Sequence, residues 1–173
     1  VPDVAAGLSL GEYSAHVCSC TFSFEDTVKL VRKRGRYMQE AVPAGIGTMA
    51  AIIGLDSETV NKVCSEESKS GVVEVSNYNC PGQIVIAGEV KAVENACAKL
   101  KESGARKTIM LSVSGPFHTS MLKSAAEKLG IELKNININD MKVPVITNVT
   151  GDYVKNKDEV KGLLKKQVMS SVR

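Results

Sequence analysis

A serine set between two glycines, Gly7-Leu8-Ser9-Leu10-Gly11, follows the apolar run Val4-Ala5-Ala6 and precedes the helix-compatible Glu12-Tyr13-Ser14-Ala15. The order reads as strand, sharp turn and helix with the serine at the bend, the G-x-S-x-G pattern of a nucleophile elbow. Such a turn forces its central residue into a strained backbone conformation, and flanking glycines remove Cβ atoms that would clash between strand and helix. A serine held there presents Oγ at the strand's carboxyl end, with amides of the next helical turn nearby to receive an oxyanion. Small residues also spell this pattern by chance in ordinary turns, so its strand-to-helix setting carries the argument.

A serine nucleophile needs a base, and the chain holds two histidines, His16 and His118. His16 lies seven residues beyond Ser9 in the same predicted helix, roughly 10 Å along the axis, out of reach of Oγ. His118 sits in Ser114-Gly115-Pro116-Phe117-His118-Thr119, a loop expected at a domain junction, where a cleft would form. It can pair with Ser9 if the intervening residues fold over the elbow. The other reading of His118 is a surface histidine capping the helix that starts near Met121.

The elements that must position these groups fall into two layers. An apolar strand is predicted over 1–6 and the elbow helix over 10–20. Ser23-Phe24-Glu25-Asp26 has capping-box spacing and opens a helix that runs to Pro43, its apolar stripe set by Val28, Val31, Met38 and Val42. From Gly45 onward come a strand (48–53), a helix (57–68) capped by Asp56, a strand (72–78), a turn at Pro81-Gly82, a strand (83–87), a helix (90–103) and a strand (107–113). This β-α-β-β-α-β order is ferredoxin-like. An α/β layer then resumes with a helix over 121–129, a strand over 143–147 and a helix over 158–170. The fold class is therefore α/β, with residues 1–44 and 114–173 forming one core and residues 45–113 an inserted ferredoxin-like small subdomain.

Composition narrows the function classes. The 173 residues are 43% hydrophobic and carry a net charge of +3 with few aromatics, which argues against nucleic-acid binding. Cys18, Cys20, Cys64, Cys80 and Cys97 are odd in number and lack C-x-x-C pairing, so they read as reduced thiols, and no metal site is expected. No run is long enough to span a bilayer. The expected setting is cytoplasmic and the expected state monomeric.

The chain resembles the malonyl-CoA:acyl carrier protein transacylases of fatty acid synthesis over essentially its whole length. Four segments carry the resemblance: residues 7–15 around the elbow, Leu30-Val31-Arg32-Lys33-Arg34-Gly35-Arg36-Tyr37-Met38-Gln39, Asn77-Tyr78-Asn79-Cys80-Pro81-Gly82-Gln83, and Gly115-Pro116-Phe117-His118. It implies an α/β-hydrolase-like acyltransferase core, incomplete here, with a Ser9–His118 dyad. It further implies that Arg34 pairs the free carboxylate of malonate, that the Leu10 amide contributes to the oxyanion hole, and that a backbone carbonyl near Gln167 orients the imidazole. Phe117 and Met38 would line the acyl pocket, Phe117 going with the unbranched malonyl group. Spacing alone could not choose Arg34 from Lys29, Arg32, Lys33 and Arg36, which also read as a solvated helix face. An Arg suits the role because its planar fork matches a carboxylate bidentately.

The implied reaction is ping-pong transfer from malonyl-CoA, through malonyl-serine, to the phosphopantetheine thiol of acyl carrier protein, with no cofactor. The basic helix from Lys29 to Arg36 and lysines near His118 would steer that acidic partner. Leu8 replaces the histidine usual in the family's elbow, at a position expected to face away from the reacting carbonyl. The family's N-terminal oxyanion loop and a C-terminal helical stretch would lie outside residues 1–173. These residues alone are thus expected to act poorly, since one missing oxyanion donor costs about a hundredfold to a thousandfold. Two competing readings are a serine thioesterase or esterase, for which no well-placed acid lies between Ser9 and His118, and a non-catalytic carrier-protein docking fragment.

Overall fold

The computed structural model describes residues 2–173. In chain order the elements are β1 (Ala5–Ala6), α1 (Leu10–Cys18), α2 (Phe24–Ala41), β2 (Gly47–Ile53), α3 (Ser57–Glu67), β3 (Val73–Cys80), β4 (Gln83–Glu89), α4 (Val90–Glu102), β5 (Lys107–Leu111), α5 (Lys123–Lys134), β6 (Val145–Ile146) and α6 (Lys157–Gln167). A short 3-10 turn, Ser120–Leu122, leads into α5.

Residues 47–111 form a four-stranded antiparallel sheet in the order β3-β4-β2-β5, the ferredoxin-like arrangement. Its alternating buried positions, among them Ile52, Ile84 and Ile86, meet Val60 and Val63 of α3 and Leu100 of α4 in one core. The Asp56 carboxylate caps α3 by accepting from the Thr59 amide at 2.8 Å. A second core gathers Tyr13, Leu30, Leu129, Leu133 and Leu164 from the helices on either side of the insertion, with Val145 of β6. There β1 and β6 pair in parallel, Ala5 against Val145 and Ala6 against Ile146.

Several elements differ from the sequence expectation. The strand expected over 1–6 is confined to Ala5–Ala6, its first residue lying outside the described residues, and the strand expected over 143–147 is only Val145–Ile146. Their mutual register covers just two residues, and Ile146 makes one further antiparallel bridge, to Tyr153. The elbow helix stops at Cys18 because Cys20 takes a left-handed φ of 61°. Helix α2 begins where Ser23 accepts from the Asp26 amide, but its buried face is Thr27, Leu30, Arg34, Tyr37 and Met38, and Val28 is exposed. The helix expected over 121–129 continues to Lys134, burying Leu129 and Leu133.

The small subdomain is bound to the core at the level of the His118 loop. Ser76 Oγ of β3 donates to the Phe117 carbonyl at 2.9 Å, and Glu74 accepts from the Ser120 amide at 2.8 Å. Gly47 at the start of β2 is required here, because a Cβ would fall 2.5 Å from the Pro116 ring. The segment after α6 also crosses over: the Tyr78 amide donates to the Val172 carbonyl and the Val172 amide to the Ser76 carbonyl, both at 2.8 Å. No helix among the described residues is long and apolar enough to cross a membrane.

Candidate active site

Ser9 occupies φ 53°, ψ −103° between β1 and α1, a conformation disfavoured for a residue with a Cβ. The neighbouring backbone shows why the chain can turn so sharply. A Cβ on Gly7 would lie 2.1 Å from the carbonyl carbon and oxygen of Gly11, whereas a Cβ on Gly11 would meet nothing within 4 Å. Only the first of the two motif glycines is therefore needed for clearance. The bend is held by Asn148, just after β6, whose Oδ1 accepts from the Ser9 amide at 2.6 Å and whose Nδ2 donates to the Gly7 carbonyl at 2.7 Å.

Ser9 Oγ lies 2.8 Å from His118 Nε2, and His118 Nδ1 lies 2.8 Å from the Gln167 backbone carbonyl. A carbonyl can only accept, so Nδ1 carries the proton and Nε2 presents its lone pair to the serine hydroxyl. Burial pushes His118 down from 6.5 to about 4; the Gln167 carbonyl opposes that shift, and the Arg34 charge adds to it. The imidazole is accordingly neutral at physiological pH, with a lone pair free to accept the Ser9 proton. His118 itself has a φ of 62°, a second left-handed residue at the site.

Arg34 reaches the same oxygen from α2: its Nη2 donates to Ser9 Oγ at 2.9 Å and to Gln167 Oε1 at 3.1 Å. It is buried, its guanidinium lying 5.3 Å from the centroid of the Tyr13 ring. Its neighbours on α2 behave differently: Lys33 pairs with Glu132 at 2.6 Å and Arg36 with Glu40 at 3.4 Å. The helix therefore sends one guanidinium inward and leaves other cations on its outer face, where some are already matched by carboxylates.

A cavity of about 450 Å³ opens between the elbow, α2 and the small subdomain, lined by Ser9, Arg34, Met38, Asn77, Phe117 and His118. Leu8 also lines it and is exposed. This corrects the expectation that Leu8 faces away: the elbow turns both Leu8 and Ser9 toward the cleft. Leu10 directs its side chain to the surface, while its amide opens α1 with no acceptor among the described residues. His16 is buried against Phe22, ring centroids 5.4 Å apart, away from the cavity. No cluster of three or more His, Cys, Asp or Glu side chains fit to hold a metal ion occurs among the described residues.

Three groups at the site escaped the sequence reading. Glu12 is fully buried, and its Oε2 accepts from Gln167 Nε2 at 2.7 Å and from the Asn148 amide at 3.0 Å. Burial raises its carboxyl above 4.5, opposed by the Gln167 contact first and by Arg34 more weakly. The Gln167 side chain, as distinct from its backbone carbonyl, also donates from Nε2 to the Ser9 carbonyl at 2.9 Å. Asn148 had no local signal, since its partners lie more than 130 positions away in the chain. Glu12 stands three residues after the serine, a spacing that puts both on one helical face.

Residues 1–173 match the model of the acyl transferase domain. The chain is 51% identical over 173 residues to the malonyl CoA-acyl carrier protein transacylase of Bacillus subtilis (strain 168), covering 99% of this chain and 55% of that protein. The solved malonyl CoA-acyl carrier protein transacylase from Clostridium perfringens superposes with a TM-score of 0.96 at 49% identity, over 99% of this chain and 54% of that one. A solved complex of a type II PKS acyl-carrier protein with its malonyl-transacylase matches with a TM-score of 0.97 at 42% identity, over 100% of this chain and 56% of that one. The chain thus spans a little over half the length of the relatives it matches.

Proposed function

The chain belongs to the acyl transferase domain family, and from that premise we propose that it serves as the malonyltransferase of fatty acid biosynthesis. It would move a malonyl group from malonyl-CoA to the phosphopantetheine thiol of acyl carrier protein in the cytoplasm. The observation that carries this reading is the 2.9 Å contact between Arg34 Nη2 and Ser9 Oγ. A cation that close to the nucleophile can hold an anion only one or two bonds from the carbon under attack, which suits the short dicarboxylic acyl chain of malonate. The guanidinium's planar fork matches that carboxylate.

In the first half-reaction Ser9 Oγ attacks the thioester carbonyl carbon as its proton passes to His118 Nε2. The oxyanion is received by the Leu10 amide, and the neutral Gln167 carbonyl steadies the imidazolium through Nδ1–H. Collapse breaks the carbon–sulfur bond, and His118 returns the proton to the departing coenzyme A sulfur. In the second half, the carrier thiol gives its proton to His118 Nε2 while its sulfur attacks the malonyl-serine ester. The carbon–Oγ bond then breaks, and Ser9 recovers its proton. These steps draw on no metal or redox group. Phe117 and Met38 pack against the acyl chain, and the exposed cations of α2 favour the acidic carrier. All the side chains named come from one chain, so a monomer suffices.

Intact-mass measurement of the protein after malonyl-CoA and, separately, acetyl-CoA tests the reading. A malonyl adduct that persists until a thiol arrives is expected, with little acetyl adduct. Ser9→Ala should abolish it and Arg34→Ala should level the two donors. Release of free malonate without an adduct would point to a thioesterase, and carrier-protein binding with no adduct at all to a docking module.

A further inference from the structure

Glu12 is a buried carboxylate that the reaction as described never uses. We propose that it is a positioning residue: its acceptor oxygen Oε2 fixes which way the Gln167 side chain faces, and through Gln167 and Asn148 it holds the elbow, Arg34 and His118 in register. The inference rests on the reading of Ser9, His118 and Arg34 given above and adds a residue to it.

The argument comes from donors and acceptors. The Asn148 N–H can only donate, so Glu12 Oε2, which receives it at 3.0 Å, is an acceptor, and Gln167 turns its NH2 group toward that oxygen, 2.7 Å away. The same NH2 then donates to the Ser9 carbonyl at 2.9 Å, and Oε1 is left facing Arg34 Nη2 at 3.1 Å. The reversed amide would set NH2 against a guanidinium and its oxygen against both a carboxylate and a carbonyl, so every contact would repel. Gln167 is also the residue whose backbone carbonyl meets His118 Nδ1 at 2.8 Å. On its other side Glu12 Oε2 accepts from the Asn148 amide at 3.0 Å, and Asn148 in turn accepts from the Ser9 amide at 2.6 Å. One carboxylate thus stands one residue removed from the nucleophile, the base and the anion-binding guanidinium. Burial works against a charge on this carboxyl, and the Gln167 and Asn148 contacts, the first turn of α1 and the field of Arg34 oppose that cost only in part. Glu12 differs from the acid of a Ser-His-Asp triad in touching an amide, where the triad's acid touches the imidazole.

Two readouts in the intact protein separate this role from plain packing. The first is the rate of Ser9 labelling by a fluorophosphonate, which reports serine and histidine geometry without any acyl donor. The second is the ratio of malonyl to acetyl adduct, which reports Arg34. In Glu12→Leu, labelling should slow about tenfold and the ratio should fall about tenfold, the loss expected when buried donors are left unpaired. Glu12→Gln should restore both to within about threefold, because its carboxamide oxygen can take the place of Oε2. If Glu12→Leu does not fold, Gln167→Met removes the other end of the bond while keeping the backbone carbonyl, and the adduct ratio should fall in the same way. Folded Glu12→Leu with both readouts unchanged overturns the proposal, as does Glu12→Gln as impaired as Glu12→Leu. Wild-type protein that labels with fluorophosphonate yet takes up no malonyl group would defeat the acyltransferase reading while leaving the labelling test of Glu12 intact.

Discussion

Acidification should leave Ser9 reactive far below the pH at which an ordinary histidine has lost its basicity. His118 is buried and its value is pushed from 6.5 to about 4. At pH 5 a group of that value is about 90% neutral, whereas a histidine at 6.5 is only about 3% neutral. The two cases therefore differ about thirtyfold in the fraction of protein able to deprotonate Ser9. Fluorophosphonate labelling measured from pH 8 to pH 3.5 reads that fraction on the free protein, with no substrate carboxylate to titrate. The expected profile is level to about pH 5 and then falls, approaching tenfold per pH unit below about 4. Arg34→Met should move the inflection upward, since the guanidinium's charge contributes to the depression. An inflection near 6.5 in the wild type, unmoved in Arg34→Met, would refute the buried, cation-flanked histidine on which the chemistry depends.

The elbow makes an asymmetric prediction: Gly7→Ala should destabilise by about 3 kcal/mol through overlap with the Gly11 backbone, while Gly11→Ala, with open space and a helical position, should be neutral or stabilising by up to about 1 kcal/mol. Urea unfolding of the two variants checks it, and equal stability would rule out the close approach at Gly7. Folding stability should also fall on acidification because His16 and His118 are both held near 4 by burial. The unfolded chain binds these protons first, so the loss runs between 6.5 and about 4 and amounts to about 2 kcal/mol per histidine at pH 5. Glu12, raised above 4.5, acts with the opposite sign, its buried charge being relieved as the pH drops. Comparison of wild type with His16→Leu at pH 7 and pH 5 isolates one histidine, and identical pH dependence in the two would overturn it.

Legibility in the sequence tracked how local each cause was. The caps at Ser23 and Asp56 are made with amides three residues away, so spacing alone revealed them. The insertion was readable because alternating strands and amphipathic helices bury faces within a single short stretch of chain. Helix α2 and its cap were legible, but its buried face was not: the apolar stripe runs through Val28, yet the buried face carries Arg34. Apolar periodicity cannot anticipate an inward guanidinium, because its burial is compensated by Ser9 and Gln167, 25 and 133 positions away. The same limit hid Leu8, whose exposure to the cleft depends on where the small subdomain closes over the elbow.

By itself, the sequence determined the turn that strains Ser9, the α/β class, the β-α-β-β-α-β insertion and a small set of candidate cations and bases. Those follow from steric limits on neighbouring residues and from patterns that repeat within one element. Tertiary structure alone decided the protonation state of His118, the inward turn of Arg34 onto Ser9 and Gln167, and the Glu12–Gln167–Asn148 mesh behind the serine. Each of these requires a desolvated enclosure or a donor facing an acceptor across more than a hundred residues in at least one of its contacts, and neither exists until the chain has folded.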